Sequence, residues 1–157
     1  MSAELSKESH GEIENLLKRY PTKRAALLPI LHVVQKQFGY IPEDQEQVVA
    51  DIIETPVVKI REVIAFYTMF LQKPVGKKHL QVCRTNSCWL RGAEAIIGHI
   101  EKTLDITDGK STEDMKFTLT EVECLGACEH APMMQLNDDY ILDLTIEKVN
   151  KILNEAD

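Results

Sequence analysis

Apolar residues recur at helical spacing through the first half of the chain, and the second half alternates strand and helix spacing. "GEIENLLKRY" predicts a first helix, opened by Ser9 and Glu12 as a capping box and ended by Pro21. In "TKRAALLPILHVVQKQFG", Leu27, Leu31, Val34 and Phe38 share one helical face. Pro29 kinks that helix or sits near its start, and Gly39 terminates it. "PEDQEQVVADII" predicts a third helix with acidic residues at its positive end. "TPVVKIREVIAFYTMF" predicts a fourth, with Thr55 as cap and Pro56 at the first helical position. Its apolar residues nearly encircle it, so it is expected to be buried. "QKPVGKK", residues 72–78, interrupts the pattern with Pro74, Gly76 and three lysines. The domain boundary is placed there, giving a helical domain 1–75 and a second domain 76–157.

In the second domain, "HLQVC" (79–83) predicts a strand with Leu80 and Val82 on one face. A helix is expected from about Leu90, with Ala93, Ile96, Ile97, Ile100 and Leu104 inward. "TDGKSTED" reads as a loop and "KFTLTEV" (116–122) as a strand. "PMMQLND" and "DYILDL" read as a hairpin turning at Asp138–Asp139. Thr145 caps a last helix, "IEKVNKILNE". The order β-α-β-β-β-α is compatible with a thioredoxin-like arrangement, and the fold class is α+β.

The chain has 157 residues, 44% hydrophobic and 27% charged, as expected of a globular protein. A formal net charge of −7 argues against binding nucleic acid through a basic surface. The start carries no apolar run of signal-peptide length, and no stretch reaches the ~18–20 apolar residues of a membrane span. A cytosolic protein, peripheral to a larger assembly, is expected.

That setting bears on the cysteines. The chain has four, grouped as Cys83 and Cys88 in "CRTNSC" and Cys124 and Cys128 in "ECLGAC". In a reducing compartment such thiols point to metal or redox chemistry more than to structural disulfides. Each pair falls where a strand ends. Parallel strands joined by a crossover helix finish at the same sheet edge, which would bring the pairs together. Structural zinc favours tighter knuckles, and the ferredoxin C-x2-C-x2-C and C-x4-C-x2-C runs are absent. A 2Fe–2S cluster needs two thiolates on each iron, which the pairs supply. By spacing alone, 2Fe–2S, zinc and disulfides all remain open. Arg84, Thr85, Asn86 and Ser87 can turn donors toward sulfur, and Gly126 can bring amides close or be a plain turn glycine.

The cysteine pattern with "LGAC" and "AP", supported by "FGYIP", "VIAFYTMF" and "APMMQLNDDYILDLT", resembles one family. It is the thioredoxin-like 2Fe–2S ferredoxin subunit of the NADH dehydrogenase module of respiratory complex I, the NADH:quinone oxidoreductase. The resemblance spans roughly residues 10 to 155. It implies an N-terminal helical bundle, then a thioredoxin-like domain holding one 2Fe–2S cluster on Cys83, Cys88, Cys124 and Cys128. It implies a flavoprotein partner that binds NADH and FMN, where hydride transfer occurs, and further subunits of the peripheral arm. In complex I this cluster lies near the flavin but off the main chain of clusters. The chain shows no G-x-G-x-x-G and no P-loop, in keeping with electron transfer without a nucleotide site of its own. It ends soon after the ferredoxin domain, so a fusion to a flavoprotein is not expected.

Related readings are the same subunit in a soluble NAD-linked hydrogenase or formate dehydrogenase, or a zinc-binding structural module. A thiol oxidoreductase would want a C-x-x-C motif, which is absent. His130 is read as a surface residue or a hydrogen-bond donor to the cluster, and Trp89 as a shield, ordinary packing or a partner contact. His32 is read as structural. Tyr67, Met69 and Phe70 are read as core or as flavoprotein contacts, and Lys73, Lys77 and Lys78 as a solvated linker. Pro132 is a candidate cis proline.

Overall fold

The computed structural model describes residues 4–155; residues 1–3 and 156–157 of the two domain spans lie outside the described residues. The chain divides into two compact units between Pro74 and Val75. The first unit holds α1 (Lys7–Arg19), α2 (Leu27–Phe38), α3 (Glu43–Ile53) and α4 (Val57–Phe66). Its core gathers Ile13, Ile30, Leu31, Val34, Val49, Ile53, Ile60, Ile64 and Phe70. This is the helical spacing of the sequence turned into buried surface, at ~25 cal/mol per Å² of apolar area.

Four local readings are corrected. α1 starts earlier than the Ser9–Glu12 pattern suggests: Ser6 is its N-cap and accepts from the Ser9 amide at 3.0 Å. Ser9 is buried inside the helix, its hydroxyl donating to Gln37 Oε1 at 2.7 Å. A contact from α2 thus decides which serine caps. Ser6→Ala should therefore cost about 1 kcal/mol in urea unfolding, a loss that a capping role at Ser9 would not give. Thr55 does not cap α4, since its hydroxyl donates back to the Ile53 carbonyl at 3.4 Å and Pro56 precedes the first turn. Nor is α4 buried all round: only Ile60 and Ile64 are buried within it, while Val58 and Phe66 are exposed. It ends at Phe66, so Tyr67, Met69 and Phe70 lie beyond it; Phe70 is core and the other two are exposed. His32 is exposed with its ring against that of Phe70, centroids 5.0 Å apart.

The second unit is built on a five-stranded sheet in the order β2-β3-β1-β4-β5. The strands are β1 (Lys78–Cys83), β2 (Lys110–Ser111), β3 (Phe117–Val122), β4 (Met134–Leu136) and β5 (Asp139–Ile141). β1 and β3 run parallel, with Cys83 opposite Val122, and the other pairings are antiparallel. The short strand β2 occupies what reads as a loop in the sequence. Two residues carry no alternation, and pairing with β3 alone makes them a strand. The connection from β1 to β3 holds two helices, α5 (Asn86–Leu90) and α6 (Ala93–Leu104), separated by Gly92 at φ 95. The helix expected from Leu90 therefore begins after that glycine. Ala93, Ile96, Ile97 and Ile100 face inward as expected. α6 packs on β1 and β3 and against α7 (Ile146–Asn154), whose N-cap Thr145 accepts from the Lys148 amide. Leu80, Val82, Ile100, Leu119 and Met134 form the centre of this core.

Lys78 is part of β1 and not linker: its ammonium donates to the Ile152 and Glu155 carbonyls at the end of α7. Next to it His79 is buried, its Nε2 2.8 Å from Thr120 Oγ1, and burial holds its ring below the usual histidine range. A lowered folded value means that the neutral ring stabilises this unit above the ordinary pKa of ~6.5, and that this stability is lost as pH falls through the lower folded value. Acid unfolding should therefore steepen below about pH 6.5, and His79→Gln should flatten that limb relative to the unchanged chain.

Candidate metal centre

The parallel pair sets the site. β1 ends at Cys83 and β3 at Val122, side by side. The chain leaving β1 turns at once into α5, which carries Cys88, and the chain leaving β3 runs through Cys124 to a 3-10 turn, Cys128–His130. The four thiols that the sequence sets apart are thereby assembled at one sheet edge. All four are free, and they stand as two pairs. Cys124 Sγ and Cys128 Sγ are 3.5 Å apart, far beyond the ~2.05 Å of a disulfide. Cys83 and Cys88 lie together in one buried cluster. Among the described residues no group of three or more His, Cys, Asp or Glu side chains is arranged to hold a single metal ion. The thiols' arrangement is pairwise.

The pairs differ in environment. Cys83 and Cys88 are buried with Ala93, Ala131 and Met133, and Leu125, Ala127 and Leu142 pack around them. Cys124 and Cys128 are exposed. Donors converge on the sulfurs. Thr85 Oγ1 lies 3.3 Å from Cys83 Sγ, and the Gly126 amide donates to Cys124 Sγ at 3.4 Å. Gly126 has φ 86, a conformation that lets its amide turn back onto the sulfur.

These contacts divide each pair. Burial pushes the Cys83 thiol up, but hydrogen bonds from Thr85, Cys88 and Leu125 outweigh it and leave the thiol below its ordinary value. Burial, with the hydrogen bond and charge of Cys83, pushes Cys88 up to about 11. The Gly126 amide, then Cys128, draws Cys124 down, and Cys124 in turn pushes Cys128 up. One thiol of each pair thus ionises more readily than its neighbour. A cation between them removes that difference, because ligands bind metal as thiolates. The donor set therefore fits an inorganic centre that wants two thiolates at each of two metal atoms.

Backbone and side chains fasten the two loops. The Cys83 amide donates to the Met133 carbonyl at 3.2 Å and the Arg84 amide to Val122 at 3.0 Å. Arg91, just past α5, donates through Nε to the Ala131 carbonyl at 2.5 Å, and the Tyr140 hydroxyl donates to the Leu125 carbonyl at 2.7 Å. Neither Arg91 nor Tyr140 carries any sequence signal of this role, because their partners are distant in the chain. The Ala131–Pro132 bond is cis. His130 is exposed, with Nδ1 3.1 Å from Asp143 Oδ2. Trp89 is 57% exposed, which removes it from ordinary packing.

Known proteins can be set beside this geometry. Residues 13–157 match the thioredoxin-like 2Fe-2S ferredoxin family. The chain belongs to that family. It is 48% identical over 145 residues to the type-E subunit of the NADH-quinone oxidoreductase of Rickettsia bellii, covering 90% of this chain and 87% of that one. It is 44% identical over 142 residues to a second type-E subunit of the NADH-quinone oxidoreductase of Rhizobium meliloti, covering 90% and 84%. Among solved structures, a chain of an NAD+-reducing NiFe hydrogenase in its H2-reduced state aligns with a TM-score of 0.73 at 18% identity. The alignment covers 83% of this chain and 22% of that one, and the likeness is one of fold.

Proposed function

We propose that this chain is the electron-transfer subunit of an NADH:quinone oxidoreductase, holding one 2Fe–2S cluster through Cys83, Cys88, Cys124 and Cys128. The observation that carries the reading is the convergence of two thiol pairs at the shared edge of β1 and β3, in a member of a 2Fe-2S ferredoxin family. When bound, such a cluster accepts and returns one electron at a time. The chain's own residues do the rest. The thiols hold the metal, and the Thr85 hydroxyl and the Gly126 amide place donors on the sulfurs. Ala131, Met133 and Leu142 keep water from the inner pair.

The chain works as one subunit of a multi-subunit complex, as the curated relatives do by name. The donor is the FMN of an NADH-oxidising flavoprotein, with other peripheral-arm subunits beyond it. No helix among the described residues is long and apolar enough to cross a membrane. In this reading, attachment to the cytoplasmic face runs through the assembled complex. The exposure of Cys124 and Cys128 supports this reading, since electron tunnelling needs the cluster near the partner's surface.

The test is metal and sulfide analysis of anaerobically purified protein, with EPR before and after dithionite. Two irons and two sulfides per chain, silent when oxidised and spin-half when reduced, are expected. One zinc without sulfide, persisting with ample iron, would sink the electron-transfer reading. Anaerobic size-exclusion with the flavoprotein tests the partner, and co-elution is expected.

A further inference from the structure

Among the described residues three threonines stand at the head of helical segments, and they are not employed alike. Thr22 and Thr145 each turn the hydroxyl oxygen onto a first-turn amide, that of Ala25 and that of Lys148. That is the usual work of threonine at this position. Thr85 heads α5 in the same way yet makes no side-chain cap hydrogen bond. Its Oγ1 lies 3.3 Å from Cys83 Sγ instead. Thr85 therefore turns its hydroxyl to the Cys83 sulfur and leaves the first turn of α5 without a side-chain cap. A local rule is broken where a second use of the group competes.

The direction of the bond follows from chemistry. A sulfur that binds iron is a thiolate, which accepts and cannot donate. The hydroxyl must then donate its single proton to the Cys83 sulfur. We propose that Thr85 is a positioning residue that sets the cluster's reduction potential: its hydroxyl donates to Cys83 and favours the reduced state. This rests on the reading that these cysteines hold a 2Fe–2S cluster. Reduction adds one negative charge, from about −2 to about −3 over four thiolates and the cluster, and a donor at sulfur gains strength as that charge grows. Removing the donor makes the cluster harder to reduce.

The test compares the unchanged holoprotein with Thr85→Val, which keeps shape and loses the hydroxyl, and Thr85→Ser, which keeps it. The readouts are iron and sulfide content and the midpoint potential by EPR-monitored titration. Thr85→Val is expected to retain the cluster while its reduced-to-oxidised ratio at a given potential falls about tenfold, a shift of about 59 mV to more negative values for one electron. Thr85→Ser is expected to restore the original midpoint. Loss of the cluster in Thr85→Val but not in Thr85→Ser also supports the role of the hydroxyl at the Cys83 ligand. An unchanged midpoint in a fully loaded Thr85→Val overturns the proposal, as does equal loss or an equal shift in both variants. Absence of iron and sulfide from the unchanged chain overturns the cluster reading as well. Failure of the Thr85 role alone looks different, because the unchanged chain then loads normally.

Discussion

Serine in place of Cys83 or Cys88 is expected to abolish cluster binding, while serine at Cys124 or Cys128 weakens it and shifts the visible spectrum. The direction is common to all four, since a hydroxyl is a poorer ligand for iron than a thiolate. The gradation comes from burial. Cys83 and Cys88 are 2% and 1% exposed, enclosed by Ala131 and Met133. An oxygen there sits among apolar neighbours, and no water can take the vacant ligand position. Cys124 and Cys128 are exposed, so solvent or the serine oxygen can complete the coordination with less penalty. Iron per chain and the visible absorption of each variant, purified anaerobically, check this. A variant with an unchanged spectrum removes that cysteine from the ligand set. Loss from the exposed pair alone would reverse the burial argument and leave the inner thiols as packing.

The parts of this structure legible in the sequence are those written locally. The α2 face of Leu27, Leu31 and Val34, the stop at Gly39, the alternation of Leu80 and Val82, and the cap Thr145 each follow from a few neighbouring residues. The convergence of the cysteine pairs needed one step more, the rule that parallel strands joined by a crossover end together, and β1 and β3 obey it. What escaped was decided at a distance. The pattern of Ser9 and Glu12 marks Ser9 as the cap, but Gln37, well along the chain, claims its hydroxyl. β2 exists because β3 pairs with it. The outer face of α4 is apolar and exposed at Val58 and Phe66, so composition alone overstated its burial. The groups around the thiols divide the same way. Thr85 and Gly126 sit beside cysteines in the sequence, whereas Met133 packs with the inner pair only through the fold.

Gly76→Ala is expected to destabilise the second unit by about 3 kcal/mol, at the upper end of what overpacking costs. The sequence offers this glycine as a linker break between Pro74 and the lysines. The structure makes it a contact: a Cβ there would lie 2.6 Å from the Phe117 carbonyl carbon, 2.8 Å from its nitrogen and 2.9 Å from its oxygen. All three are backbone atoms of β3, and backbone in a paired strand cannot swing aside as a side chain can. The strain would also reach the buried bond from the Gly76 amide to Thr118 Oγ1, 2.6 Å long, which itself meets Ser111 Oγ at 2.7 Å. Gly98 is the control. It lies within α6, and an added Cβ there meets nothing within 4 Å. Gly98→Ala should stabilise by about 1 kcal/mol through helix propensity. Urea unfolding of the two variants should therefore move in opposite directions from the unchanged chain. If Gly76→Ala unfolds with an unshifted midpoint, the approach of residue 76 to β3 is looser than described. The strand β1 would then be entered through a true linker, as the composition of "QKPVGKK" alone suggests.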